Sequence, residues 1–213
     1  YDVEISGRPL IVMGAAKFGV LVLFVALAVC QEPNPPTWPN SVYVFNPANT
    51  SYTQSVVNQI FAINGGHTPA FNGQFNSERF ALLFLPGSHA VTVNVGYYTS
   101  VIGLGVSPSD TAIQNVVCQN GDFDYTGGAL SNFWRSAENF KTQPTLFWNN
   151  APAPSMLWAV SQACPLRRVS VEGDLNLYQY NSGCCAGYSS GGFMSDSTVS
   201  GTVYPGSQQQ WLT

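Results

Sequence analysis

The chain has 213 residues, and 8% are charged, against roughly 25% in an average soluble domain. Hydrophobic residues make up 45% and aromatics 13%, which excludes a disordered acidic tail and a charge-rich coiled coil. Seven Lys+Arg against eleven Asp+Glu leave a net charge of −4 with no basic stripe, so no nucleic-acid partner is expected.

The N-terminal region reads as an address rather than a fold. Gly19 to Cys30 (GVLVLFVALAVC) is an apolar run shorter than the roughly 20 residues a membrane span needs. Lys17 precedes it, and Ala26 and Ala28 close it in an A-x-A-like pattern. These are the parts of a secretory signal peptide over residues 13–30, with cleavage after Ala28 or after Cys30. A buried core helix would need an amphipathic face that the run lacks. Met13 stands where an initiator belongs, so residues 1–12 (YDVEISGRPLIV) are expected to be translated leader. Residues 31–40 (QEPNPPTWPN) carry four prolines and read as an extended linker. The mature form is therefore expected outside the cell and off the membrane.

Cysteine use is consistent with export. Cys118, Cys164, Cys184 and Cys185 follow the signal, and four cysteines allow three pairings that sequence does not separate. Neighbours Cys184 and Cys185 are each expected to pair elsewhere. No C-x-x-C spacing suggests zinc. Asn49-Thr50-Ser51 is an N-glycosylation sequon.

In the body, 41–213, Tyr52 to Asn64 places Val56, Val57, Ile60, Phe61 and Ile63 at helical spacing, and Gly65-Gly66 ends the helix. Arg79 to Leu85 (RFALLFL) reads as a strand covered on both faces, stopped by Pro86-Gly87. Short strands are then predicted over Ala90–Val95, Ser100–Leu104, Ala112–Cys118, Thr145–Trp148, Met156–Val160, Leu166–Val171, Leu175–Tyr180 and Thr198–Val203. A further helix is conceivable over Leu130–Phe140. Many short strands mean a sandwich, a barrel or a solenoid. Val171-Glu172-Gly173 and Val199-Ser200-Gly201 repeat a V-x-G triplet within the roughly 20–50-residue spacing of solenoid coils. Few Asn-Gly turns are present to join antiparallel hairpins. The expected fold is therefore all-β, a right-handed parallel β-helix with a short N-terminal capping helix, and a β-sandwich is the alternative. The chain stops in mid-pattern at Gln208 to Thr213, so it is expected to be an N-terminal part of a longer solenoid.

The run SVVNQIFAINGG followed by RFALLFLPGSHAVTVNVGYYTSVIGLG resembles the entry of the pectin-lyase-like β-helix superfamily. NFWRSAENF, MLWAVSQACPLRRVSVEG and SGGFMSDSTVSG are similar to secreted microbial proteins often labelled adenylyl cyclase or coagulation factor 5/8 type. No nucleotide-cyclase signature accompanies them. The superfamily resemblance implies polysaccharide lyases, glycoside hydrolases and some adhesins, with no cofactor and a polysaccharide partner. It transfers no catalytic motif to a particular residue. The leading expectation is a secreted polysaccharide hydrolase or lyase of glucan or pectin type. The alternative is a non-catalytic glycan-binding or matrix protein.

Few ionisable groups could carry such chemistry. Glycoside hydrolysis needs an acid and a second carboxylate about 5–10 Å apart. Lysis needs a base and a cation. The carboxylate candidates are Glu138, Glu172, Asp174 and Asp196. Glu172 and Asp174 flank Gly173, where a strand would point them the same way and their like charges would split their proton affinities. Arg135 and Arg168 are candidates to bind substrate. Arg135 and Glu138 would pair if they sat on a helical turn. Tyr178 and Tyr180 alternate and would present one aromatic face to a sugar. Asp122-x-Asp124 lacks the ligand set of a calcium loop. His67 and His89 have no triad partners.

Overall fold

The computed structural model describes residues 37–119, 128–148, 151–181, 185–208 and 211–213. The signal peptide and leader expectations, Asp122, Asp124 and Cys184 lie outside the described residues. Within Pro39–Thr213 the chain forms one compact unit.

Strand β1 (Val42–Phe45) leads through a short 3-10 turn (Pro47–Asn49) into helix α1 (Thr50–Asn64). Then come β2 (Phe80–Phe84), β3 (Gly87–Asn94), β4 (Thr99–Gly103), β5 (Thr111–Cys118), β6 (Gly128–Ala129), β7 (Arg135–Thr142), β8 (Ser155–Trp158) and β9 (Pro165–Val171). Shorter strands follow: β10 (Asp174–Asn176), β11 (Tyr180–Asn181), β12 (Cys185–Ala186), β13 (Tyr188–Ser189), β14 (Phe193–Ser195), β15 (Thr198–Val199), β16 (Val203–Tyr204) and β17 (Ser207–Gln208). Among the described residues twelve strands join one branched sheet, whose longest path runs β1-β2-β4-β7-β5-β8-β10-β16. Every pairing in that sheet is parallel, while β11 and β12 pair antiparallel.

The expected right-handed parallel β-helix with a capping helix is thereby corrected: among the described residues there is a branched, mostly parallel sheet with one long helix. Paired positions are separated by unequal lengths of chain, from Phe80 to Thr99, from Thr99 to Arg135 and from Ala137 to Leu166. One V-x-G repeat could not convey that irregularity. The two triplets do lie side by side, with Val199 against Val171.

Helix α1 is not a cap either, because it is fastened along β3. A register shift between His89 and Thr92 interrupts the β3–β5 ladder. Gln54 meets the backbone there: its amide nitrogen donates to the Thr92 carbonyl at 2.9 Å, and its amide oxygen accepts from the Thr92 N–H at 2.9 Å. Val56, Val57 and Ile60 face the core, and the Gly65 N–H closes the last turn on the Phe61 carbonyl. The buried Asn64 ties the helix end to the strands by donating to the carbonyls of Tyr97 and Glu78. Asn49 of the sequon is exposed at the helix N-cap, and its side chain makes no capping bond.

Two other local expectations change. Residues 135–142 form a strand, not a helix, since Trp134 and Asn139 adopt left-handed backbone (φ 56° and 58°) that interrupts a right-handed helix. Thr145–Trp148 joins no ladder: the Thr145 N–H donates instead to the Asn115 side chain at 2.9 Å.

The core has one large cluster running from Phe45, Val57 and Ile60 through Leu82, Phe84, Val101 and Ile113 to Phe140, Trp158, Leu166 and Leu175, and a small second one of Val117, Ala129, Leu157 and Ala159. The larger cluster also holds Cys118 and Cys164 as free thiols, against the expectation that they pair. The Cys164 Sγ donates to the Asn132 carbonyl at 2.9 Å, and the Cys118 Sγ to the Ala159 carbonyl at 3.7 Å.

Candidate functional site

The carboxylates singled out in the sequence are dispersed. Asp174 is 8% exposed and fully engaged: one oxygen accepts from the Thr202 N–H at 2.7 Å and the other from the Tyr204 hydroxyl at 3.3 Å. It holds the β10–β16 edge together. Glu172 is exposed, 3.7 Å from the Lys141 ammonium, and accepts from the Gln143 amide. Gly173 between them adopts φ 157°, and the two carboxylates end in different surroundings, so they form no acid–base pair. Replacing Asp174 with alanine is expected to cost about 2–3 kcal/mol, the scale of leaving buried donors unpaired. Urea denaturation checks this, and an unchanged midpoint would contradict the structural role.

Glu138 and Arg135 lie on one strand three residues apart and so face opposite sides. Glu138 faces outward and meets Arg167 of the neighbouring strand at 3.5 Å. Asp196 does not stack near Glu172 or Asp174. Because Ser195 pairs with Arg167, Asp196 stands beside Arg168. Arg167, Arg168, Asp196 and Pro108 line a cleft of about 450 Å³. Asn139 organises that corner by donating to the carbonyls of Gly103 and Gly105 at 2.7 Å and accepting from the Arg168 Nε at 3.2 Å. A side chain on Gly103 would collide with the Asn139 carbonyl, so only glycine fits beneath it. The Tyr178–Tyr180 aromatic strip is not formed as a strand: Tyr178 lies outside any strand with Gly206 against its ring, and Gln179 is buried. The Tyr180 side chain lies outside the described residues.

The structure assembles a different site on the outward face of β2, β4, β7 and β9. A groove of about 420 Å³ is bounded there by Arg79, Tyr98, Ser100, Trp134, Arg135 and Ser136, among others. Strand alternation turns Ser100 and Ser136 outward, and register places them side by side, with Ser136 Oγ donating to Ser100 Oγ at 2.8 Å. Tyr98 and Trp134 stack with centroids 5.2 Å apart and planes 7° from parallel. The Arg79 guanidinium lies 3.5 Å from the centre of the Tyr98 ring. Arg135 sits 2% exposed at the groove's inner side, 4.5 Å from the Tyr97 ring, with Nη1 on the Val95 carbonyl. Two residues beyond Ser136 along β7, about 7 Å away at strand rise, comes the Glu138–Arg167 pair. One open face thus offers an aromatic plane, a pair of hydroxyls and an ion pair in line. That is a set suited to a neutral, hydroxyl-rich ligand. Nothing in the sequence pattern sets Arg79, Tyr98 and Trp134 apart from the other cations and aromatics. Their convergence depends on strand register.

An open parallel sheet bearing a polar and aromatic groove describes a class of architecture, and comparison with known proteins narrows it. A curated protein of Streptomyces sp. (strain SirexAA-E / ActE) described as an exo-β-1,3-glucanase is 41% identical over 175 residues, covering 81% of this chain and 26% of that protein. The solved structure of sacteLam55A from Streptomyces sp. SirexAA-E matches with a TM-score of 0.69 at 40% identity, covering 83% of this chain and 29% of that one. A variant of sacteLam55A refined in complex with glucose matches with a TM-score of 0.69 at 39% identity over the same shares. The chain therefore spans less than a third of the length of these relatives. No family model matches the chain. These glucanase relatives replace the resemblance to pectin-lyase-like and cyclase-labelled proteins drawn from the sequence.

Proposed function

We propose that the chain works in the breakdown of β-1,3-glucan, as part of a glycoside hydrolase that releases sugar from chain ends. The observation that carries this reading is 41% identity to an exo-β-1,3-glucanase along 81% of the chain. The groove on β4 and β7 agrees with it, since aromatic planes and hydroxyls suit an uncharged glucan. Hydrolysis of a glycosidic bond takes two carboxyl groups. On the open face the carboxylates are Glu138, bound to Arg167, and Asp196, beside Arg168.

A second reading is glycan binding without hydrolysis. It is favoured by the engagement of Asp174, Glu172 and Glu138 in separate structural contacts. Incubating the protein with laminarin and with insoluble curdlan separates the two. Glucose release is the expected result. Retention on curdlan with no reducing sugar would leave the binder. The absence of both release and retention would overturn the glucan reading. Glu138→Gln removes an exposed ion pair and is expected to change stability by less than about 1 kcal/mol, so a loss of glucose release in that variant would report on chemistry rather than folding.

A further inference from the structure

We propose that the outer face of Trp134 is a stacking site for one glucose ring of a glucan chain, and that Ala163 is the gap in the side-chain column where the ring lies. The proposal rests on the glucan reading above and gives it a location.

Tyr98 and Trp134 stand immediately before β4 and β7, and Ala163 stands two residues before β9. All three adopt left-handed backbone, with φ of 53°, 56° and 60°. Thr99 pairs with Arg135, and Ala137 pairs with Leu166. Counting back along that register places the three residues at equivalent positions on adjacent strands. Arg79 precedes Tyr98 in the same column, because Phe80 pairs with Thr99. The column therefore reads guanidinium, phenol, indole, methyl.

Its first three members are stacked. Arg79 lies 3.5 Å from the Tyr98 ring centre and Trp134 lies 5.2 Å from it in a nearly parallel plane. Two groups cannot share one ring face at those separations, so Tyr98 is sandwiched; Phe133 meets the Trp134 ring obliquely at 5.4 Å and 47°, and among the described residues no further parallel ring follows Trp134. Where a fourth plane would come, the sequence supplies only the Ala163 methyl. Neighbouring strands are about 4.8 Å apart, so the missing plane is about one ring thick. Trp134 is 40% exposed, Ala163 is exposed, and both border the groove.

The platform is held before any ligand arrives. The Tyr98 hydroxyl donates to the Gln74 carbonyl at 2.7 Å and its N–H to the Trp134 carbonyl at 2.7 Å. Arg79 Nη1 donates to the carbonyls of Glu78 at 2.8 Å and Asn76 at 3.0 Å. Little side-chain freedom remains to be lost on binding. The face of an indole is electron-rich. A β-glucose ring, whose hydroxyls are all equatorial, presents polarised axial C–H bonds to such a face and directs its hydroxyls to the rim. Ser100 and Ser136 are available at that rim.

The test is calorimetric titration of the full chain with a β-1,3-linked glucose hexamer and, separately, a β-1,4-linked one. Three proteins are compared: wild type, Trp134→Ala and Ala163→Trp. The last fills the gap with an indole at a position whose column neighbours already carry rings in the same backbone conformation. It therefore blocks the site while keeping Trp134. Wild type should bind the β-1,3 hexamer, and both variants should bind about tenfold more weakly or worse, the scale of one lost aromatic stack. Circular dichroism should show both variants folded. Tight binding of the β-1,3 hexamer by all three proteins would overturn the stacking site and leave the glucan reading standing. Trp134-dependent binding of the β-1,4 hexamer alone would keep the site and remove the β-1,3 reading. Binding of neither hexamer by wild type would remove both. Should Trp134→Ala unfold, Ala163→Trp decides alone. Should both unfold, quenching of wild-type tryptophan fluorescence by the β-1,3 hexamer supports the site, and its absence overturns it.

Discussion

Trp158→Ala is expected to lower the unfolding free energy by about 3–5 kcal/mol. Trp158 is fully buried, at the point where β8 pairs with the end of β5. Its indole N–H donates to the Cys164 carbonyl at 3.3 Å. Truncation removes a large apolar surface, opens a cavity, and deprives the Cys164 carbonyl of that donor. Parallel pairings on both sides of the site limit how far the backbone can close in. Trp134→Ala is the contrast: the residue is part-exposed, and its cost should stay within about 1 kcal/mol. Urea denaturation followed by far-ultraviolet circular dichroism measures both. A Trp158→Ala loss below that of Trp134→Ala would show that the core is not organised around the indole.

Stability is also expected to fall steeply above pH 9, by about 1.4 kcal/mol per pH unit for each buried thiol. Burial is the largest cause, pushing the Cys164 thiol from 9.0 up to about 12; the nearby Cys118 adds to the rise and Arg135 offsets part of it. Burial pushes Cys118 up as well, again opposed by Arg135. A thiol whose folded affinity for its proton exceeds its unfolded affinity adds stability that is full below the unfolded value. That stability is lost as pH rises toward the folded value. For Cys164 the window runs from pH 9.0 to about 12. Lysine and tyrosine side chains titrate in the same range, so the informative quantity is the difference between wild type and Cys164→Ala. The variant should have the shallower decline. Equal slopes would mean that the thiol gives up its proton as readily folded as unfolded. The same burial should make both thiols slow to react with Ellman's reagent until the protein unfolds.

Both expectations depend on long-range neighbours, and there the sequence was least legible. Helix α1 was readable because Val56, Val57 and Ile60 recur on one face and Gly65 stops the turn. Strands β2, β4 and β5 were readable because apolar runs or alternations end at Gly, Pro or polar breaks. The strand at Thr145–Trp148 was misread: its pattern is strand-like, but the Asn115 side chain takes the Thr145 N–H that a ladder would have used. Arg135 and Glu138 would pair only on a helical turn; the left-handed residues at Trp134 and Asn139, which make the segment a strand, leave no signature of their own. Of the site residues, Glu138, Arg168 and Asp196 reach the open side of the sheet. Asp174 instead turned out to hold a strand edge.

From composition, periodicity and breakers alone the chain is recognisable as many short strands with an early helix and little charge. Those features are local, and each is decided by a few adjacent residues. Which strand lies beside which was settled only in three dimensions. Backbone ladders are nearly blind to side-chain identity, and long-range burial chooses among the registers they allow. The column of Arg79, Tyr98, Trp134 and Ala163 spans residues far apart in the chain. It exists because the pairing of β2, β4, β7 and β9 sets them in one row.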